Sequence, residues 1–380
     1  MDAILNKMFG IKYDDIWKAM IRPPRDDYNM SQLGKDHFTV EGKHFQRTDL
    51  SLNNKRGLHL ACSFWEPIDS ERPCPRLPCV IYLHGNSSSR TEAWPDARDL
   101  LAMNITVFAF DFSGCGQSEG EYISLGWYET DDVECVVEYL RNTNKVSTIG
   151  LWGRSMGAVT AIMYGDRDPS IAGMVMDSPF SSLSILVGEL IKDRVNIPSF
   201  VLNQGLKMVK GTIKKKANFN CDDIEPINFA KRCFIPGLFC HAKQDDFVNW
   251  HHCQDLYNAY QGEKNVVYFD EGDHNSIRPE FFKNSMCIFF YNTLQVENLK
   301  VLSDNNDGYK EEVKKQEPIQ DPIPKPQVNN PININQNNNG NILGPNIDPN
   351  DKDAVLQQNL ELPKKEHEMS QKNNVVDINK

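Results

Sequence analysis

The chain has 380 residues, 40% of them hydrophobic and 10% aromatic, with a formal net charge of −11 and an isoelectric point near 5.4. That is enough for one large domain or two ordinary ones with a sizeable buried core. The acidic balance argues against polyanion binding, so no nucleic-acid partner is expected, and no apolar run reaches the roughly 18 residues of a membrane span.

The opening MDAILNKMFGIKYDD lacks the basic start and apolar core of a secretory signal. Ile4, Leu5, Met8, Phe9, Ile16, Trp17 and Met20 fall on roughly helical spacing, and IRPPR then stops the helix because proline cannot continue one. Residues 1–30 are therefore expected to form an N-terminal helical segment. It either packs on the main domain or meets a membrane surface through residues 1–21. Asp2 and the ending DINK fit neither a myristoylation site nor a prenylation box.

Residues 31–298 are expected to form the main domain. HFTVEGKHFQRTDLSLNN and RGLHLACSFWEP read as opening antiparallel strands. Short apolar runs of buried-strand type follow: LPCVIYLHG, ITVFAFDFSG, VSTIGLWG, IAGMVMDSP, CFIPGLFCHA and NVVYFDEGDH. Helical patterns separate most of them, as in WYETDDVECVVEYLRN and NWHHCQDLYNAYQ, and IRPEFFKNSMCIFFYNTL closes the set. The alternation predicts an α/β fold with a mostly parallel central sheet and helices on both faces.

The interval 181–230 breaks this rhythm and reads as a helical cap insertion. It carries Lys207, Lys210 and Lys214–Lys216, either a solvated face or, over Lys207–Lys216, a second peripheral membrane contact. Residues 299–380 are expected to be a disordered, Asn- and Pro-rich tail. From 301 onward there is no Cys, Trp or Phe, and such a segment cannot bury enough apolar surface to offset its ordering entropy. The ten cysteines are scattered, several inside apolar runs, which reads as reduced thiols of a cytosolic protein. Cys74 and Cys79 form the one close pair, without a second pair at zinc spacing, so no metal site is expected.

The candidate chemistry centres on LWGRSMG, where Ser155 sits between Gly153 and Gly157. The motif follows a strand and opens a helix, the context of a nucleophile elbow. The glycines are needed because side chains there would collide across the turn, and the serine is held at a helix N-terminus. A serine hydroxyl needs a base. Of nine histidines, His274 ends the last strand in DEGDHNS, where it can reach over the sheet edge. The others lie in opening strands, inside a strand, on a helix (His251, His252), in the tail, or in the His84-Gly85 motif.

The base needs an orienting carboxylate. FCHAKQDDFV offers Asp245 and Asp246, of which only one can face the imidazole; Asp245 is chosen, leaving Asp246 to cap the following helix or to remain solvated. The order Ser155, Asp245, His274 is that of an α/β-hydrolase. Oxyanion donors are expected from the backbone N–H groups of Met156 and of Asn86, the latter in IYLHGNSSSR after an earlier strand.

With LHGNSSSR, DFSGCGQSEG, GLWGRSMGA, DSPFSS, HAKQDDFV and GDHNSIRPEFF in this order, the chain resembles the α/β-hydrolase superfamily in its serine-aminopeptidase-like and acyl-protein-thioesterase-like branch, over about residues 35–295. Ala242 stands where the family often has the glycine of G-x-x-D, and the cysteine-rich N-terminal palmitoylation segment of some depalmitoylating members is missing. The resemblance implies a cofactor-free serine hydrolase acting through an acyl-enzyme on a lipid-like ester or thioester, with a small-molecule or acyl-protein substrate. Alternatives are a serine peptidase of the aminopeptidase-like type and a non-catalytic binding protein on the same fold. The expected location is cytoplasmic, with peripheral membrane contact if either segment above makes one.

Overall fold

The computed structural model describes residues 12–194 and 199–299. Residues 1–11 of the expected N-terminal segment, residues 195–198 of the expected cap insertion and nearly all of the expected tail lie outside them.

Nine strands form one sheet in the order β1-β2-β3-β5-β4-β6-β7-β8-β9. The strands β1 (His37–Val40), β2 (Lys43–Asn53) and β3 (His59–Pro67) run antiparallel, and β3 joins β5 (Thr106–Phe110) antiparallel. The remaining pairs are parallel: β4 (Leu77–Leu83) with β5 and with β6 (Val146–Arg154), then β7 (Gly173–Asp177), β8 (Gly237–Ala242) and β9 (Lys264–Phe269) in turn. Every residue of β4, β5, β7 and β8 is buried, as near-continuous apolar strands require when helices cover both faces.

The two-residue period of the strands divides the core into two layers. Cys79, Ile81 and Leu83 face one layer, with Val133 and Val137 of α3 (Glu129–Asn142) and Ala158 and Ile162 of α4 (Met156–Gly165). Val80 and Tyr82 face the other, with Leu100 and Leu101 of α2 (Trp94–Ala102) and Phe282, Met286 and Phe290 of α9 (Glu280–Thr293). The helix α1 (Tyr13–Ile21) buries Trp17 and Ile21 in the first layer, so this part of the N-terminal segment lies against the protein. Its Trp17 indole N–H donates to Asp14 at 2.9 Å, and the Tyr13 hydroxyl is 2.6 Å from that of Thr212.

Between β7 and β8 lie α5 (Leu183–Arg194), α6 (Ser199–Ala217) and α7 (Pro226–Ala230). Val209 and Ile213 of α6 enter the first layer. Two of its lysines have partners: Lys210 bonds Ser184 and Asp222, and Lys216 lies 4.8 Å over the Trp17 ring. Lys207, Lys214 and Lys215 are exposed. Among the described residues no helix is long and apolar enough to cross a membrane, and all ten cysteines are free.

From β4 the chain crosses to β5 on one side and then back past β4 to β6 on the other. Such a reversal opens a crevice at the carboxyl ends of the strands. The loops after β4, β6, β8 and β9 carry Asn86, Ser155, Asp245 and His274 to that edge.

Phe290 is fully buried, and Gly150 admits its ring where a Cβ would sit 2.8 Å away. Phe290→Ala is expected to cost about 3–5 kcal/mol. Urea denaturation reads this as a lowered midpoint with unchanged slope; a loss below about 1 kcal/mol would contradict this packing.

Candidate active site

Strand β6 ends at Arg154 and α4 begins at Met156, so a single residue makes the turn. That residue, Ser155, has φ 52° and ψ −114°, a region L-residues rarely occupy. The surroundings hold it there. Its N–H donates to the Asp177 carbonyl at 2.7 Å, and its own carbonyl accepts from Val159 at 3.0 Å. A Cβ on Gly153 would overlap the backbone of Gly157, and one on Gly157 would overlap the Leu83 carbonyl at the end of β4. The second glycine is thus demanded by the neighbouring strand rather than by the first glycine.

The three groups remote in sequence meet at this turn. His274 Nε2 lies 3.0 Å from Ser155 Oγ, and His274 Nδ1 lies 2.7 Å from Asp245 Oδ2. All three residues are buried, with 7–8% of their surface exposed. The other Asp245 oxygen accepts from the N–H groups of Phe247 at 3.0 Å and Val248 at 2.8 Å. Asp246 is exposed and Asn249, not Asp246, accepts from the first N–H of α8 (His251–Ala259), at 3.1 Å.

Burial pushes the Asp245 carboxyl up, but the hydrogen bonds from His241 and His274 and the Val248 N–H outweigh it and hold the group below the usual carboxylate range. His241 is fully buried; its Nε2 lies 2.7 Å from the Val248 carbonyl and 3.3 Å from Asp245. The carbonyl has no proton to give, so Nε2 carries one and can share it with the carboxylate.

The Met156 N–H is the first of α4 and finds no backbone or side-chain acceptor among the described residues, and neither does that of Asn86. The preceding Gly85 N–H is occupied by Glu92 at 3.1 Å. The Asn86 side-chain oxygen is buried without a partner.

Three further groups brace the histidine loop. The Arg154 and Arg278 guanidinium groups donate to the His274 carbonyl, at 2.9 and 3.1 Å. Arg278 Nε also donates to Asp177 Oδ2 at 2.8 Å. Asp177 lies at the end of β7, and its carbonyl holds Ser155, so one residue ties the elbow to the histidine loop. Burial raises the Asp177 carboxyl, yet the Arg278 and Arg154 charges bring it below its ordinary value. Asp177 and Arg278 carry no signal in the sequence beyond membership of DSPFSS and GDHNSIRPEFF, and His241, inside a strand and so set aside as a base, stands in HAKQDDFV.

A family model described as serine aminopeptidase, S33, matches residues 75–224, and one described as PhoPQ-activated pathogenicity-related protein matches residues 199–318. The Bacillus subtilis protein YqkD is 28% identical over 198 residues, 51% of this chain and 64% of the relative, so the chain spans less than two thirds of that protein. Human monoglyceride lipase is 34% identical over 131 residues, 34% of this chain and 42% of the lipase. The Pyrococcus furiosus esterase Pf2001 shares the fold with a TM-score of 0.54 and 24% identity, over 71% of this chain and 98% of the esterase. The sheet order, the strand–turn–helix at Ser155 and these likenesses give the chain an α/β-hydrolase fold.

Both buried carboxylates are held below the usual range, so their charges stabilise the folded state fully above the unfolded value near 3.8. That contribution is lost as pH falls towards the folded values. Asp177→Asn leaves Arg278 buried without its counter-charge, a loss of about 3–5 kcal/mol at neutral pH. The difference in Tm between wild type and Asp177→Asn is expected to shrink as pH falls below about 4. An undiminished difference at low pH would contradict this ion pair.

Proposed function

We propose that this chain is a serine hydrolase that cleaves an ester or thioester of a lipid-like acyl group through an acyl-enzyme. The observation that carries the reading is the continuous relay Ser155 Oγ, His274 Nε2, His274 Nδ1, Asp245 Oδ2, with contacts of 3.0 and 2.7 Å. His274 takes the serine proton as Oγ attacks the carbonyl carbon. Asp245 fixes the imidazole tautomer with its proton on Nδ1 and stabilises the imidazolium. The N–H groups of Met156 and Asn86 receive the oxyanion, an arrangement in which loss of one donor typically costs about 10²–10³ in rate. His274 then protonates the leaving group and activates the water that frees the acyl group.

The acyl-type substrate is favoured by the apolar surface beside the histidine. The Phe247 ring lies 5.2 Å from that of His274, and Ile277, three residues on, is 91% exposed. Monoglyceride lipase, by its name, acts on such esters, and similarity to it points the same way. Free N-terminus recognition by a peptidase would call for an unpaired acidic cluster at the mouth, whereas Asp177 is paired with Arg278 and Asp245 with His274. A peripheral membrane contact through residues 1–21 or Lys207–Lys216 is part of this proposal, and within the second segment Lys207, Lys214 and Lys215 are exposed.

A panel of p-nitrophenyl esters, palmitoyl thioesters and aminopeptidase reporters tests the reading. Turnover of the esters or thioesters and not of the amides is expected, with kcat falling by more than about 10⁴-fold in Ser155→Ala. Equal turnover by Ser155→Ala would overturn the assignment, and turnover of amides alone would move it to the peptidase.

A further inference from the structure

A carboxylate that takes no part in the relay stands beside the nucleophile. Glu92 sits in the short 3₁₀ turn Arg90–Ala93, just ahead of α2, and is half-buried. Its Oε2 accepts from the Gly85 N–H at 3.1 Å and from the Tyr82 hydroxyl at 3.2 Å. A Cβ on Gly85 would lie 3.7 Å from Glu92 Oε1 and 3.9 Å from Ser155 Cβ, so the carboxylate reaches the edge of the elbow.

We propose that Glu92 is a positioning residue that aims the Asn86 N–H at the oxyanion. The inference rests on the role given to that N–H in the proposed function. Gly85 has no side chain to hinder rotation of its backbone, so the peptide planes on either side of it swing unless something pins them. Both are pinned. The Gly85 carbonyl accepts from His84 Nδ1 at 2.7 Å and from the Ser88 N–H at 3.3 Å. His84 Nε2 accepts from the Phe112 N–H at 3.0 Å, so the ring proton is on Nδ1 and faces that carbonyl. In a planar trans peptide the N–H points opposite to the carbonyl, which turns the Asn86 N–H away from these two donors. The plane before Gly85 is pinned at its N–H by Glu92 Oε2. Loss of that acceptor frees the plane to rotate about the glycine and carries the next N–H, that of Asn86, off its line.

The loop does not fix itself. Ser87, third of the four residues in the turn that the Ser88 N–H closes on Gly85, has φ 61°, in the left-handed region. Such a residue keeps its shape only when its surroundings hold it. The ground under Glu92 is firmer: the Arg90 N–H donates to the buried Asp111 at 2.7 Å, and the Ser89 hydroxyl donates to Asp26 at 2.6 Å. What the loop needs from Glu92 is an acceptor rather than a charge. A negative charge near a forming oxyanion opposes it, and burial together with the Glu92 charge already pushes the Tyr82 hydroxyl well above its ordinary value.

The test measures p-nitrophenyl ester turnover by the full chain, and its inhibition by an alkyl trifluoromethyl ketone, which forms a tetrahedral oxyanion on a nucleophilic serine. Glu92→Ala and Glu92→Met, the second keeping the side-chain volume, are expected to lower kcat about 10–100-fold, short of the roughly 10²–10³ of a donor lost outright. KM should change little, because ground-state binding is untouched. Inhibition should weaken by the same factor as kcat/KM, a parallel that a merely structural loss does not produce. Glu92→Gln keeps an acceptor and Tyr82→Phe keeps the bond to Gly85, so both should turn over close to wild type. Wild-type kcat in Glu92→Met, or a fall in Glu92→Gln as deep as in Glu92→Ala, would overturn the inference while leaving Ser155-dependent turnover intact. Absence of Ser155-dependent turnover in the wild type would remove the proposed function and this inference with it.

Discussion

The backbone at Ser155 is the constraint on which the rest depends. A serine at φ 52° and ψ −114° costs of order 1–3 kcal/mol, and it persists only if the surroundings over-determine it. Here they do. Gly153 and Gly157 remove the Cβ atoms that would meet α4 and β4, and the Asp177 carbonyl takes the serine N–H. The strain holds the hydroxyl away from the chain and aims it at His274, while Met156 presents the first N–H of α4 alongside.

Asp177 links this turn to the loop opposite. Its backbone holds the elbow and its carboxylate holds Arg278, which in turn grips the His274 carbonyl. Arg154, the residue before the serine, grips the same carbonyl from the other side. The separation between Oγ and Nε2 is therefore set by an ion pair buried beneath the site as well as by the two loops themselves. Asp245 is fixed in a comparable way, one oxygen by two backbone N–H groups and the other by His274 and His241.

What could be read from the sequence was what is local. The elbow was legible because strand, glycines, serine and helix are contiguous, and the strands because full burial leaves runs such as LPCVIYL. The opening hairpins were legible as strands, and β2 buries Phe45 and Arg47 while Gln46 between them is half-buried and His44 and Thr48 are exposed. Partnerships across the fold were not. Arg278 and Asp177 are 101 residues apart, and nothing in either neighbourhood announces the other. Asp245 and Asp246 could not be separated by sequence, since only the loop geometry turns one inward and leaves the other in solvent. The role given to Gly157 was right in kind and wrong in partner, because the Leu83 carbonyl belongs to a strand over seventy residues earlier.

The most direct measurement is peptide mapping by mass spectrometry after treating the folded protein with a fluorophosphonate probe. The account predicts a single adduct on Ser155, lost when the protein is denatured before labelling, because only the assembled relay raises that hydroxyl above the other serines. An adduct on a different serine, or an unlabelled Ser155 in protein shown to be folded, would contradict it.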